Sequence, residues 1–192
     1  MSEFNLAYRE NIKKIKTSIR NNQVNILLEY DQYDVTILEF FDHIAFYHLF
    51  KEENLMKYLI NHMFLESETK RKWKPIHYIC KYSTPEIIRT ITEKEIDLEC
   101  MTNYGFRPIH FICIHSTSEM IRYFMSRGVN LECKTDYGFL PIHMIAKYSD
   151  AKTYHMVSKM VNMNSKTNKG YTPDRFFKYD RKFSLSKEIK SV

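Results

Sequence analysis

The sequence predicts an all-α solenoid of stacked helix–turn–helix units. Three observations carry this. The word Pro-Ile-His occurs at Pro75-Ile76-His77, Pro108-Ile109-His110 and Pro141-Ile142-His143, spaced 33 residues apart both times. The match spreads beyond the word: Cys80 falls on Cys113, Leu98-Glu99-Cys100 on Leu131-Glu132-Cys133, and Tyr104-Gly105-Phe106 on Tyr137-Gly138-Phe139. Each period also holds one polar turn and two helix-start signals. A fixed period of this length marks a stacked repeat, whose units bury their apolar faces against one another.

Residues 1–35 are expected to form a helical cap. Ile12, Ile15, Ile19, Val24 and Leu27 recur at roughly helical spacing, with Lys13, Lys14, Lys16 and Arg20 between them. Residues 36–68 read as a degenerate copy of the repeat. Leu55, Met56 and Leu59 there precede Ile87, Ile88 and Ile91 by 32 residues. Regular units then follow at 69–101, 102–134 and 135–166, and 167–192 is a truncated capping unit with a polar, basic tail.

Within a regular unit the order of events is legible. A turn such as Thr102-Asn103-Tyr104-Gly105 uses glycine for a positive φ. Pro108 opens a first helix, where its missing N–H is harmless, and Ile109, Ile112 and Cys113 point inward. Thr117 is the expected N-cap of a second helix, with Asp150 at the equivalent place, and Thr84-Pro85 is the earlier version. Met120, Ile121, Phe124 and Met125 are expected inside, and Gly128 ends the helix. First helices are predicted near 76–82, 109–115 and 142–148, second helices near 85–93, 118–126 and 151–159.

These features resemble ankyrin repeats: the period, the Pro-Ile-His word, the turn glycine and the helix exit Arg127-Gly128-Val129-Asn130. The wording "KPIHYICKYSTPEII…IDLEC" is similar to that of ankyrin proteins from protists and from large DNA viruses infecting amoebae. The resemblance implies that His77, His110 and His143 are structural and hydrogen-bond the adjacent turn. It also implies a concave binding surface made by the turns and first helices, and a protein partner. There are departures. The family's threonine before proline is Lys74, Arg107 and Leu140 here, kept only as Thr172, so those units should lose its turn hydrogen bond. Arg175 stands where the last histidine should be.

Composition narrows function. The net charge is +6, but the basic residues are spread along the chain with no run of five. No apolar stretch approaches a membrane span of roughly 20 residues, and no secretory signal opens the chain. A cytoplasmic protein is expected, in host cytoplasm if viral, with the nucleus also open to it. Cys80, Cys100, Cys113 and Cys133 lack zinc-site spacing and read as small buried repeat positions, reduced and without metal. Neighbouring Pro-Ile-His histidines stand one unit apart, roughly 10 Å by helix packing, too far to share a metal at ~2 Å. His43, His48, His62, His115 and His155 have no clustered partner either. No phosphate loop, nucleophile elbow or protease word occurs, so no enzyme activity and no cofactor are expected.

The candidate binding residues are aromatic. Trp73, Phe106, Phe139 and Tyr171 share the position that closes each turn, Tyr104 and Tyr137 sit within the turns, and Tyr82, His115 and Tyr148 end the first helices. Rigid rings beside Lys and Arg suit a binding hot spot; they equally suit packing between neighbouring turns. The expected function is a monomeric, non-enzymatic module that binds a protein through its concave face. The alternative is single-stranded nucleic acid held by basic charge and aromatic platforms.

Overall fold

The computed structural model describes residues 51, 53–62, 65, 66 and 68–177. The cap expected at 1–35, the opening of the degenerate unit and the tail from 178 lie outside the described residues. The described helices are α1 (Glu53–His62), α2 (Pro75–Tyr82), α3 (Pro85–Thr92), α4 (Pro108–His115), α5 (Ser118–Ser126), α6 (Pro141–Tyr148) and α7 (Ala151–Val157), with one further helical turn at 173–177. No strand occurs among the described residues. The all-α repeat stack is therefore the observed fold.

The first helices α2, α4 and α6 lie side by side. Their shared row of Ile76, Ile79, Ile109, Ile112, Ile142 and Ile145 is completely buried. The second helices close the other side of that core with Ile87, Ile88, Ile91, Met120, Ile121, Phe124, Tyr154 and Val157. Met125 is only partly buried at the margin, because its position on α5 turns away from the core that Ile121 and Phe124 fill. Helix α1 packs on α3 through buried Met56 and Ile60 and so occupies the second-helix place of the preceding unit.

Local chemistry sets the helix ends. Pro75, Pro108 and Pro141 stand at the start of their helices. Thr117 Oγ1 accepts from Met120 N–H at 3.3 Å and Asp150 Oδ1 from Thr153 N–H at 2.8 Å, as N-caps should. Thr84 makes no such bond, and Pro85 alone opens α3. Helix α5 ends in a paired closure: Gly128 N–H donates to the Met125 carbonyl and Val129 N–H to that of Phe124. Gly128 makes this possible at φ 75.

One turn breaks the pattern. Gly105 has φ 71, whereas its counterpart one period earlier is Lys72, at φ 56. A side chain in that region costs about 1–2 kcal/mol, which glycine avoids at the expense of some backbone entropy. Lys72→Gly should therefore stabilise the fold by about 1 kcal/mol. The check is a higher urea midpoint at unchanged slope; a lower midpoint would show that the lysine side chain contributes more than the strain costs.

Candidate interaction surface

The turns form a ladder. In each, a threonine at the start folds the loop over its own hydroxyl: Thr69 Oγ1 accepts from Trp73 N–H, Thr102 from Phe106, Thr135 from Phe139 and Thr167 from Tyr171, every one at 3.2 Å. Thr102, Thr135 and Thr167 are buried. Successive turns are joined by a backbone bond: Asn103 N–H to the Arg71 carbonyl, Asp136 to Tyr104 and Asn168 to Tyr137, at 3.0–3.1 Å. Gly105 lets its neighbour come this close, since a Cβ there would lie 2.7 Å from Asp136 Oδ1 and 2.9 Å from Asp136 N.

This ladder sorts the candidate aromatics into two groups. Trp73, Phe106, Phe139 and Tyr171 are half-buried. Trp73 packs on Tyr78 at 4.7 Å and on Phe111 of the next unit at 4.9 Å, Phe106 on Phe111 at 5.6 Å, and Phe139 on Phe176 at 5.7 Å. The Arg175 guanidinium lies over the Tyr171 ring at 3.9 Å. Tyr104, Tyr137 and Tyr148 stand outside, 49%, 51% and 52% exposed. The rings of Tyr104 and Tyr137 are stacked, 6.2 Å apart and inclined by 24°. Tyr82 is half-buried under the Lys81 ammonium, and Lys147 covers Tyr148 in the same way. His115 is exposed at the end of α4, its pKa lowered by partial desolvation and then by Lys81.

The repeated histidines are buried and fully engaged. Nδ1 of His77, His110 and His143 accepts from the backbone N–H of Lys74, Arg107 and Leu140, at 2.9–3.1 Å. Each thereby fills the role that Glu or Gln takes in a capping box. With Nδ1 accepting, Nε2 carries the proton. It donates to the carbonyl of Cys100 from His77 and of Tyr171 from His143, both at 3.2 Å. For His110 the backbones of Phe139 and Cys133 act in the same sense, favouring a proton on the ring. Burial first, then the neighbouring cation Lys74 or Arg107, pushes His77 and His110 down to about 4, and burial lowers His143.

Sequence reading did not anticipate that Cys100 Sγ would come within 3.6 Å of His77 Nε2, or Cys133 within 3.9 Å of His110. These contacts do not make a nucleophile. All four cysteines are buried free thiols, and burial raises their pKa values, Cys133 to about 11 and Cys100 to about 12. A thiol so placed is protonated at neutral pH. No group of three or more His, Cys, Asp or Glu among the described residues could hold a metal ion. No described helix is long and apolar enough to cross a membrane.

Charge is distributed by face. The turn and first-helix halves of the units (69–82, 102–115, 135–148 and 167–177) hold nine Lys and Arg against two Asp. The second-helix and return-loop halves (83–101, 116–134 and 149–166) hold eight of each sign. Lys74 and Arg107 are neutralised by Glu66 and Glu99. Lys70, Arg71 and Lys72, together on the first turn, are exposed and lie outside every described ion pair.

Residues 42–135 match the family model of ankyrin repeats, in three copies. The third Pro-Ile-His unit lies past that match, yet α6 stacks on α4 as α4 does on α2. No curated protein matches the chain.

Proposed function

We propose that this ankyrin-repeat stack holds a protein partner along its turn tips and the exposed ends of its first helices, the concave side of the solenoid. Ankyrin repeats are generally protein–protein interaction modules, and the family is typically non-enzymatic. The observation that supports this side as the site is the exposed tyrosine row. Tyr104 and Tyr137 stack in register on adjacent turns with half their surface in water, and neither ring fills the core. Rigid rings with a polar tip bury large area at low entropy cost, which is why Tyr is enriched at binding hot spots. The half-buried Trp73, Phe106 and Phe139 brace the turns from beneath. In this reading the chain acts as a monomer and catalyses nothing.

The test is Tyr104→Ala with Tyr137→Ala, measured against a partner captured by the wild-type chain from its native cell. Binding should weaken by about 2 kcal/mol or more per anchor, while the melting temperature hardly moves, because neither side chain is buried. Unchanged affinity in the folded double variant would place the site on another face. A parallel loss of melting temperature would make the rings structural.

A further inference from the structure

Resting on that reading, we propose that the partner's docking segment is an acidic stretch of polypeptide, whose carboxylates lie on the Lys70-Arg71-Lys72 turn and whose apolar side chains lie against Tyr104 and Tyr137. Three features carry this. First, the turn and first-helix half of the stack holds a surplus of positive charge, whereas the second-helix half is balanced. Second, the ladder bond from Asn103 N–H to the Arg71 carbonyl puts the three-cation turn beside the Tyr104 turn, and the bond from Asp136 to Tyr104 adds the Tyr137 turn. Cations and rings thus form one continuous ridge. Third, the ridge continues in the same sense, with exposed Lys147 beside Tyr148 and exposed Lys134, Lys166 and Lys169 flanking the later turns. Asp136, the tyrosine-bound Asp174 and exposed Glu68, which precedes the first turn as Lys134 and Lys166 precede the later ones, are the acids on this side, and Asp136 leans over the Gly105 turn.

Cations left unpaired at a surface steer an oppositely charged partner and suppress like-charged ones. Lys74 and Arg107, one step behind the ridge, are already held by their own glutamates, so the free charge is concentrated at the tips. A polypeptide fits better than a nucleic acid strand here. Only two rings stack in register on the described turns, whereas a single-strand site offers platforms for a succession of bases.

The experiment is selection of displayed random dodecapeptides on the full chain, followed by titration of the best synthetic peptide. The expected winners are acidic, with an aromatic or aliphatic residue among the carboxylates. Replacing Lys70, Arg71 and Lys72 with Gln should weaken the best peptide about tenfold, as the loss of three exposed ion pairs would. Raising salt from 50 to 300 mM should reproduce most of that loss. Neutral or basic winners that still depend on Tyr104 and Tyr137 would overturn the acidic partner and leave the proposed face intact. Winners indifferent to both the cations and the tyrosines, or no enrichment at all, would overturn the face as well. An oligothymidine that binds tighter than every peptide and loses affinity with the same lysines would replace the peptide with nucleic acid.

Discussion

His110→Ala should cost the fold about 4 kcal/mol. The imidazole is completely buried between units, accepts from Arg107 N–H through Nδ1 and places Nε2 3.9 Å from Cys133 Sγ. Alanine leaves that N–H without its partner, at about 1–3 kcal/mol. It also opens a cavity beside the Phe106 ring, and large-to-small core changes cost about 2–5 kcal/mol. These terms overlap, because the site collapses partly and water can reach part of the gap. Native domains hold only about 5–15 kcal/mol in all, so the variant should melt far earlier or fail to accumulate. Urea denaturation against wild type measures the loss, and a change below about 1 kcal/mol would mean that neither the packing nor the hydrogen bonding of the histidine holds the units together. Tyr104→Ala, two turns of chain away and exposed, is the control that should leave the midpoint in place.

Much of this was legible in the sequence because the repeat forces it. A Pro-Ile-His word at fixed spacing can satisfy its histidine and bury its isoleucine in one geometry, and the helices begin one residue before the predicted 76, 109 and 142. The caps Thr117 and Asp150 could be read because a side-chain oxygen before an apolar run has few other uses. The absence of threonine before Pro75, Pro108 and Pro141 predicts a lost turn bond. The turns keep bonds of this kind through another threonine, Thr69, Thr102, Thr135 and Thr167, whose own recurrence was the available signal. Lys72 in a left-handed turn was not legible, since glycine marks that position in the other units. Nor was the face of the basic surplus. Spread along the chain, the lysines and arginines look like a solvated surface, and only folding the repeat onto itself brings Lys70, Arg71 and Lys72 next to Tyr104. The split of the aromatics into braces and exposed rings needed the stack too. Trp73 and Tyr104 occupy one loop type two positions apart, and the pleat of the turn decides which of them meets Phe111.

The same histidines predict a protein that loses stability in mild acid. His77 and His110 sit at about 4 when folded, against 6.5 in the unfolded chain. Between those values the unfolded chain holds a proton that the folded state cannot accept, so proton uptake favours unfolding. The contribution of the neutral, buried form is complete above about pH 6.5, falls as the pH drops through the window, and is exhausted below about 4. From pH 7 to pH 5 the expected loss is about 2 kcal/mol per histidine, about 4 for the pair. His143, lowered in the same direction, adds to it. Protonation breaks the site in a definite way: Nδ1 becomes a donor facing the N–H of the N-cap residue, so the capping bond turns into a repulsion. Carboxylates act elsewhere on the scale. Asp150, held at about 2 by Ser118 and Thr153, withdraws its help only as pH falls below its ordinary 3.8. Urea midpoints at pH 7, 6 and 5 therefore report the histidines nearly alone. In His110→Ala the same descent should cost about 2 kcal/mol less than in wild type, because one of the buried titrations is gone. Stability that stays flat from pH 7 to pH 5 would mean that the imidazoles take up protons in the folded state, and that their hydrogen bonds to Lys74 and Arg107 are not the ones that hold the units together.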